Sequence, residues 1–150
     1  MIRPAMPDEA TLLTDLALRS KAYWDYNPDF LAACRADLTI TPEIISDNTI
    51  NVLEDNGQVV GFYGLFAREE DAVELEYLFI DPDAIGTGYG RQMWRHAIAT
   101  ARDQGFETMF INSDPHTEAF YEAMGAKRIG QSESAIWPGR MLPLMAFELV

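Results

Sequence analysis

Three glycines stand at alternate positions, Gly86, Gly88 and Gly90, between an apolar strand and the start of a helix; Leu75 to Arg91 reads L-E-Y-L-F-I-D-P-D-A-I-G-T-G-Y-G-R. Glycine lets a backbone approach a ligand closely and turn its N–H groups outward. A helix N-terminus adds four unpaired N–H donors and a partial positive charge. Together they make an anion cradle, suited to a phosphate or diphosphate. The spacing is G-x-G-x-G, not the G-x-G-x-x-G of dinucleotide folds, and no Gly-Lys-Ser or Gly-Lys-Thr of a P-loop is present. Just upstream, residues 72–80 alternate. Val73, Leu75, Tyr77 and Phe79 are expected on one wholly apolar face, with Glu74, Glu76, Leu78 and Ile80 on the other. A face that starts charged and ends apolar suits a strand running from an open cleft into covered structure.

These residues need a scaffold, and the periodicities supply one. Residues 2–5 read as a short strand, and 8–20 as a helix with Ala10, Leu12, Leu13, Leu16 and Ala17 at helical spacing. A second helix, about 27–37, holds Phe30, Leu31 and Cys34, and Thr41-Pro42 breaks or restarts the pattern. Strands at 49–54 and 58–67 flank Asp55-Asn56-Gly57, a hairpin signal. Met93, Trp94, Ala97, Ile98 and Ala101 form the buried stripe of a helix from Tyr89 to Gln104, ended by Gly105. A strand at 107–112 follows. Asp114 is expected to cap a helix over about 115–124, with Pro115 at its first position, and strands at 126–134 and 142–149 close the chain. The order is mixed α and β, with early hairpins and a later strand–helix–strand crossover.

Composition narrows the function. A length of 150 residues suits a single domain, 1–150. A formal charge of −13 argues against nucleic acid and is compatible with a small cationic substrate. No apolar run reaches membrane-span length, and Asp8, Glu9 and Asp15 interrupt any signal-like pattern at the N-terminus, so no membrane partner is expected. The lone Cys34 excludes an internal disulfide and fits a reducing, cytoplasmic location; on an apolar helical stretch it is expected to be buried rather than to carry an acyl group. His96 is expected to be solvated in mid-helix, and His116 to open a helix beside the cleft. The two histidines lack metal-ligand spacing, so no metal is expected.

Ile80 to Gly90 resembles the central motif of the Gcn5-related N-acetyltransferase (GNAT) superfamily: an apolar strand, an Asp-Pro-type turn, then [Q/R]-x-x-G-x-[G/A]. Asp114 to Ala126, D-P-H-T-E-A-F-Y-E-A-M-G-A, partly matches a second motif of that family. The resemblance covers nearly the whole chain. It implies an α+β fold whose central, mostly antiparallel twisted sheet splays between the fourth and fifth strands, flanked by helices. It also implies transfer of an acetyl group from acetyl-CoA to an amine by direct attack. Ile85, Asp114 and Thr117 depart from the family's usual Gln or Arg, Asn and Ala.

The resemblance assigns roles residue by residue. Ile85, Gly86, Thr87, Gly88, Tyr89, Gly90 and Arg91 would hold the coenzyme diphosphate. The backbone of Leu78, Phe79 and Ile80 would pair with the pantetheine arm, as in strand addition. Asp114 and Phe120 would complete the coenzyme site, and Tyr121 would protonate the leaving thiolate. Glu74 or Glu76 would take the amine's proton, directly or through water, with a pKa raised by a partly apolar cleft. Ser20, Lys21 and Trp24, with Tyr23 and Tyr26 nearby, and Trp137 and Arg140 in a turn-rich late loop, would wall the acceptor site. Cationic residues there would imply an acceptor that also carries an anionic group. The leading expectation is an enzyme acetylating a small, cationic or amino-acid-like amine. A non-catalytic acyl-CoA-binding or sensory module is the alternative. The acceptor and the oligomeric state, a homodimer included, stay open.

Overall fold

The computed structural model describes residues 1–24 and 26–150. Its frame is a seven-stranded sheet: β1 (Ile2–Pro4), β2 (Thr49–Asp55), β3 (Gln58–Ala67), β4 (Ala72–Ile80), β5 (Thr108–Asn112), β6 (Lys127–Glu133) and β7 (Met141–Glu148), in the order β1-β2-β3-β4-β5-β7-β6. All neighbours are antiparallel except β4 and β5. Asn56 and Gly57 both take positive φ, 52° and 78°, as the β2–β3 hairpin requires.

Helices cover both faces. On one side α1 (Ala10–Ala22), α2 (Pro28–Asp37) and α3 (Pro42–Asp47) bury Leu13, Leu16, Phe30, Cys34 and Ile45 against Val52 and Phe62. On the other, α4 (Tyr89–Asp103) lays its expected stripe of Met93, Trp94, Ala97, Ile98 and Ala101 on Leu53, Tyr63 and Met109. The short α5 (Glu118–Ala123) adds Tyr121 to this side. Thr41-Pro42 restarts a helix: Thr41 Oγ1 accepts from Ile44 N–H (3.1 Å), with Pro42 at the first helical position. Among the described residues no helix is long and apolar enough to cross a membrane.

The α4 crossover brings β5 back parallel to β4, but the two pair at only three positions, Ala72↔Thr108, Val73↔Met109 and Glu74↔Phe110. Beyond Glu74 they part, and the sheet opens as a V between the end of β4 and the end of β5. The splay therefore lies where the family resemblance implied it.

Three expectations need correction. First, β4 does not keep one apolar face. Its pairing with β3 slips between Gly64↔Tyr77 and Leu65↔Leu75, leaving Glu76 as the extra residue of a β-bulge. A bulge reverses which side later residues face. Val73 and Leu75 pack towards α4, and so do Leu78 and Ile80, whereas Tyr77 and Phe79 join the α1–α3 side. Second, α5 starts at Glu118, because residues 115–117 form a turn in which Thr117 N–H bonds Asp114 C=O (2.9 Å). Third, His96 is not a solvated mid-helix residue. Its Nδ1 lies 2.7 Å from the hydroxyl of fully buried Tyr63, which also bonds Asn51 (2.8 Å) and Thr100 (3.1 Å). A buried phenol needs such partners. Cys34 is buried, as expected.

Candidate active site

The glycine turn is open in front. An added Cβ on Gly86 or Gly88 would meet nothing within 4 Å. Gly88 holds φ 87° as the residue before α4, a left-handed conformation that a side chain with Cβ rarely adopts. The first intrahelical bond runs from Gln92 N–H to Gly88 C=O (3.1 Å), so the amides of Tyr89, Gly90 and Arg91 have no helical acceptor. Gly90 serves differently. A Cβ there would lie 3.2 Å from Ile80 Cδ1 and 3.3 Å from Phe120 Cε1, so its absence lets α4 start directly on β4 and α5. Exposed donors, open space and the positive end of a fifteen-residue helix suit a diphosphate. Ile85 is 40% exposed and leaves the cradle to the backbone.

The end of β4 adds a second backbone surface. Asp81 N–H donates to Val60 C=O (2.8 Å), and Ile80 lies opposite Gly61. Alternation along an antiparallel ladder then turns the backbone of Phe79 towards β3, and that of Leu78 and Ile80 away from it, into the gap. This free edge suits a peptide-like arm.

Below the V lies a cavity of about 290 Å³. Glu74 and Glu76, expected on one face of β4, both line it. Their surroundings differ. Glu74 is buried, ion-paired with Arg68 and 3.4 Å from Asn112 Nδ2; Asn112 Oδ1 accepts from Ser132 Oγ (2.7 Å). Glu76 is open to solvent at the rim and makes no ion pair among the described residues. Loss of hydration on its protein side pushes its pKa up, against the opposing charge of Arg68. Asp37, the last residue of α2, lines the same cavity; loss of hydration, then the charge of Glu76, raises its pKa too. Tyr77 is pushed up to about 12 by burial and by these two carboxylates. Two neighbouring acids of raised pKa could serve as a proton acceptor and a cation site.

The opposite wall centres on Asp114. Its Oδ1 accepts from His116 N–H (2.9 Å), so the expected cap forms, but on the turn before α5 rather than on the helix itself. Its Oδ2 takes Lys21 Nζ (2.5 Å) and the Tyr26 hydroxyl, with Arg140 Nη2 at 3.5 Å. Burial opposes ionisation, but the Lys21 ammonium and these hydrogen bonds outweigh it and hold the carboxyl below its ordinary range. Trp24 stacks on His116 (4.7 Å, 5° between planes), and Trp137 meets Phe30 edge-on (5.6 Å). Ser134 Oγ accepts from Ile136 and Trp137 N–H, and Ser134 N–H donates to Arg140 C=O, which folds the late loop back and aims Arg140 inward.

Tyr121 lies where the walls meet. It is 6% exposed, packed between Trp94 and Phe120, and it lines the cavity. Its hydroxyl makes no hydrogen bond among the described residues. Burial, reinforced by the charge of Asp114, pushes its pKa upward and keeps the proton on the phenol at neutral pH.

Of the residues singled out from sequence, Glu74, Glu76, Leu78, Phe79, Asp114, Tyr121, Ser20, Lys21, Trp24 and Arg140 converge on this cavity. Gly86 to Arg91 lie at the neighbouring cradle, with Phe120 between. Trp137 packs on Phe30 behind the wall and does not line the cavity. Asp37 and Asn112 were missed, whereas Ser134 falls in the turn-rich late loop. Asp37 left one signal: an acid at the negative C-terminal end of a helix is electrostatically unfavourable and calls for a reason. Asn112 left none.

Known proteins resemble the chain in sequence and in fold. Residues 17–126 match the acetyltransferase (GNAT) family. A peptidyl-lysine N-acetyltransferase of Salmonella typhimurium, YjaB, is 35% identical over 115 residues, 73% of this chain and 72% of that protein. A GCN5-related N-acetyltransferase from Rhodopseudomonas palustris superposes with a TM-score of 0.83 at 17% identity, covering 99% of this chain and 94% of its own. The PaiA N-acetyltransferase from Thermoplasma acidophilum, solved with coenzyme A, gives 0.81 at 15% identity, covering 99% and 98%.

Proposed function

From the premise that this chain belongs to the acetyltransferase (GNAT) family and is an acetyl-CoA-dependent N-acetyltransferase, we propose that it acetylates a small cationic amine in the cavity below the β4–β5 splay. The observation that carries the reading is the convergence on one cavity of a protonated, buried phenol and a solvent-open carboxylate of raised pKa.

Bound acetyl-CoA supplies the thioester and the leaving thiolate. The chain supplies the rest. The amides of Tyr89, Gly90 and Arg91, the open turn at Gly86–Gly88 and the α4 N-terminus bind the diphosphate. The backbone of Leu78 and Ile80 orients the arm. Glu76 and Asp37 attract the acceptor's ammonium, helped by the negative end of α2. Glu76 then takes its proton, which an amine must lose to expose its lone pair. Glu74 is tied to Arg68 and Asn112, and that tie suits holding the cleft wall better than moving a proton. Tyr121 donates its proton to the departing sulfur. Lys21 and Arg140, gathered by Asp114, shape the far wall.

The Salmonella relative is named for peptidyl-lysine, and a lysine side chain is itself a cationic amine. A panel of small amines, amino acids and lysine-containing peptides, read by thiol release from acetyl-CoA, tests the reading. The expected result is turnover of at least one small amine with higher kcat/KM than any peptide. Preference for peptides throughout would move the acceptor outside the cavity, and thiol release with none would remove the proposed chemistry.

A further inference from the structure

We propose that the acceptor carries a carboxylate as well as its amine, and that Arg140, supported by Lys21, binds that carboxylate; this rests on the function proposed above. Arg140 is only 18% exposed in its side chain, yet it is sparsely used. Nη2 donates to the Tyr26 hydroxyl (3.0 Å) and lies 3.5 Å from Asp114 Oδ2, while Nε and Nη1 have no partner among the described residues. The guanidinium carbon sits 4.6 Å from the centre of the Phe30 ring and 5.5 Å from that of Tyr26, and Arg140 lines the cavity. A guanidinium held through Nη2 keeps donors on Nη1 and Nε, each able to bond a carboxylate oxygen.

The charge count points the same way. Within this cluster of described residues Lys21 and Arg140 bring two positive charges and Asp114 one negative, leaving +1, with Glu133 on the cavity lining outside it. Asp114 Oδ2 already takes Lys21 and Tyr26, so it is spent on holding the cations together. A local +1 matches a carboxylate of −1. Glu76 and Asp37 line the same cavity and present negative charge. Groups of both signs around one cavity suit a zwitterion. The volume, about 290 Å³, is that of a site for a small molecule.

The test measures kcat/KM for free amino acids, their amides and the corresponding decarboxylated amines, with acetyl-CoA as donor. At least one free amino acid should exceed its amide by about tenfold or more, equal to about 1.4 kcal/mol of recognition. That ratio needs no variant. Arg140→Gln should then bring the ratio to about threefold or less through a higher KM with little change in kcat, and Arg140→Lys should recover part of it. Calorimetric binding of the preferred amino acid to the CoA-loaded protein should weaken in Arg140→Gln to match. Amides or decarboxylated amines turned over as well as the amino acids would overturn the carboxylate assignment while leaving N-acetyl transfer intact. So would an acid-to-amide ratio unchanged in a folded Arg140→Gln protein. Thiol release with no amine of any class would overturn the proposed function itself, and this assignment with it.

Discussion

The glycine turn at Gly86–Arg91 offers a ligand its backbone, whereas the cavity beside it offers side chains gathered from α1, α2, β4, the β5–α5 turn and the β6–β7 loop. The first region is one short segment, and its function depends on conformation: φ 87–88° at Gly86 and Gly88, and room in front of both. The second is a meeting of residues as far apart as Lys21 and Arg140, and its function depends on which side chain stands there. A backbone site withstands many side-chain changes and fails when a turn is blocked. A side-chain site fails residue by residue and is free to change its acceptor without disturbing the coenzyme half. The departures at Ile85 and Asp114 illustrate the contrast. Ile85 removes a side chain from a cradle made of amides, while Asp114 reorganises a whole wall by collecting Lys21, Tyr26 and Arg140.

The largest effect should come from the point where the two regions meet. Tyr121→Phe keeps the packing against Trp94 and Phe120 but removes the proton, so kcat should fall about 10²-fold while CoA affinity, measured by calorimetry, holds. Parental turnover across pH would place proton donation elsewhere. Next comes the backbone half. Gly88→Val forces a β-branched residue to φ 87° and fills the open space, and CoA affinity should drop about tenfold, or about 1.4 kcal/mol. If affinity in the folded variant is unchanged, the cradle does not approach the diphosphate closely.

The rim carboxylates should give a smaller, pH-dependent effect. Glu76 works as a base only when ionised, and its pKa is raised, so the rate should climb with pH through a limb above the ordinary carboxylate range. Glu76→Gln should abolish that limb. Asp37→Asn should raise the acceptor's KM several-fold, about 1 kcal/mol, and less at high salt, where the attraction is screened. Glu74→Gln abolishing the limb in place of Glu76→Gln would exchange the two proposed roles. The smallest effect on turnover belongs to a polar cluster away from both regions. Tyr63→Phe strips partners from buried Asn51 and from His96 and should cost about 1–3 kcal/mol of stability in denaturant titration, with kcat and KM near parental. A matching loss of kcat would extend the site through α4.

Much of the scaffold was legible from sequence because its signals are local. The Asn56-Gly57 turn, the α4 stripe and the glycine cradle each lie within a few residues and follow from helix period, turn chemistry or missing Cβ atoms. Glu74, Glu76, Tyr121, Lys21 and Arg140 were also visible as candidates, through the family resemblance. Three things were decided only by tertiary structure. The bulge at Glu76 depends on the register of β3 against β4, and β4 alone reads as unbroken alternation; it is the slip at Gly64 and Leu65 that moves Tyr77 and Phe79 to the opposite face. The pairing of Asp37 with Glu76 requires the end of α2 to reach the β4 rim, an encounter between residues 39 positions apart that no periodicity records. The direction of the Asp114 carboxylate was settled by the arrival of Lys21, Tyr26 and Arg140, since a cap needs only one of its oxygens and leaves the other to the charges around it.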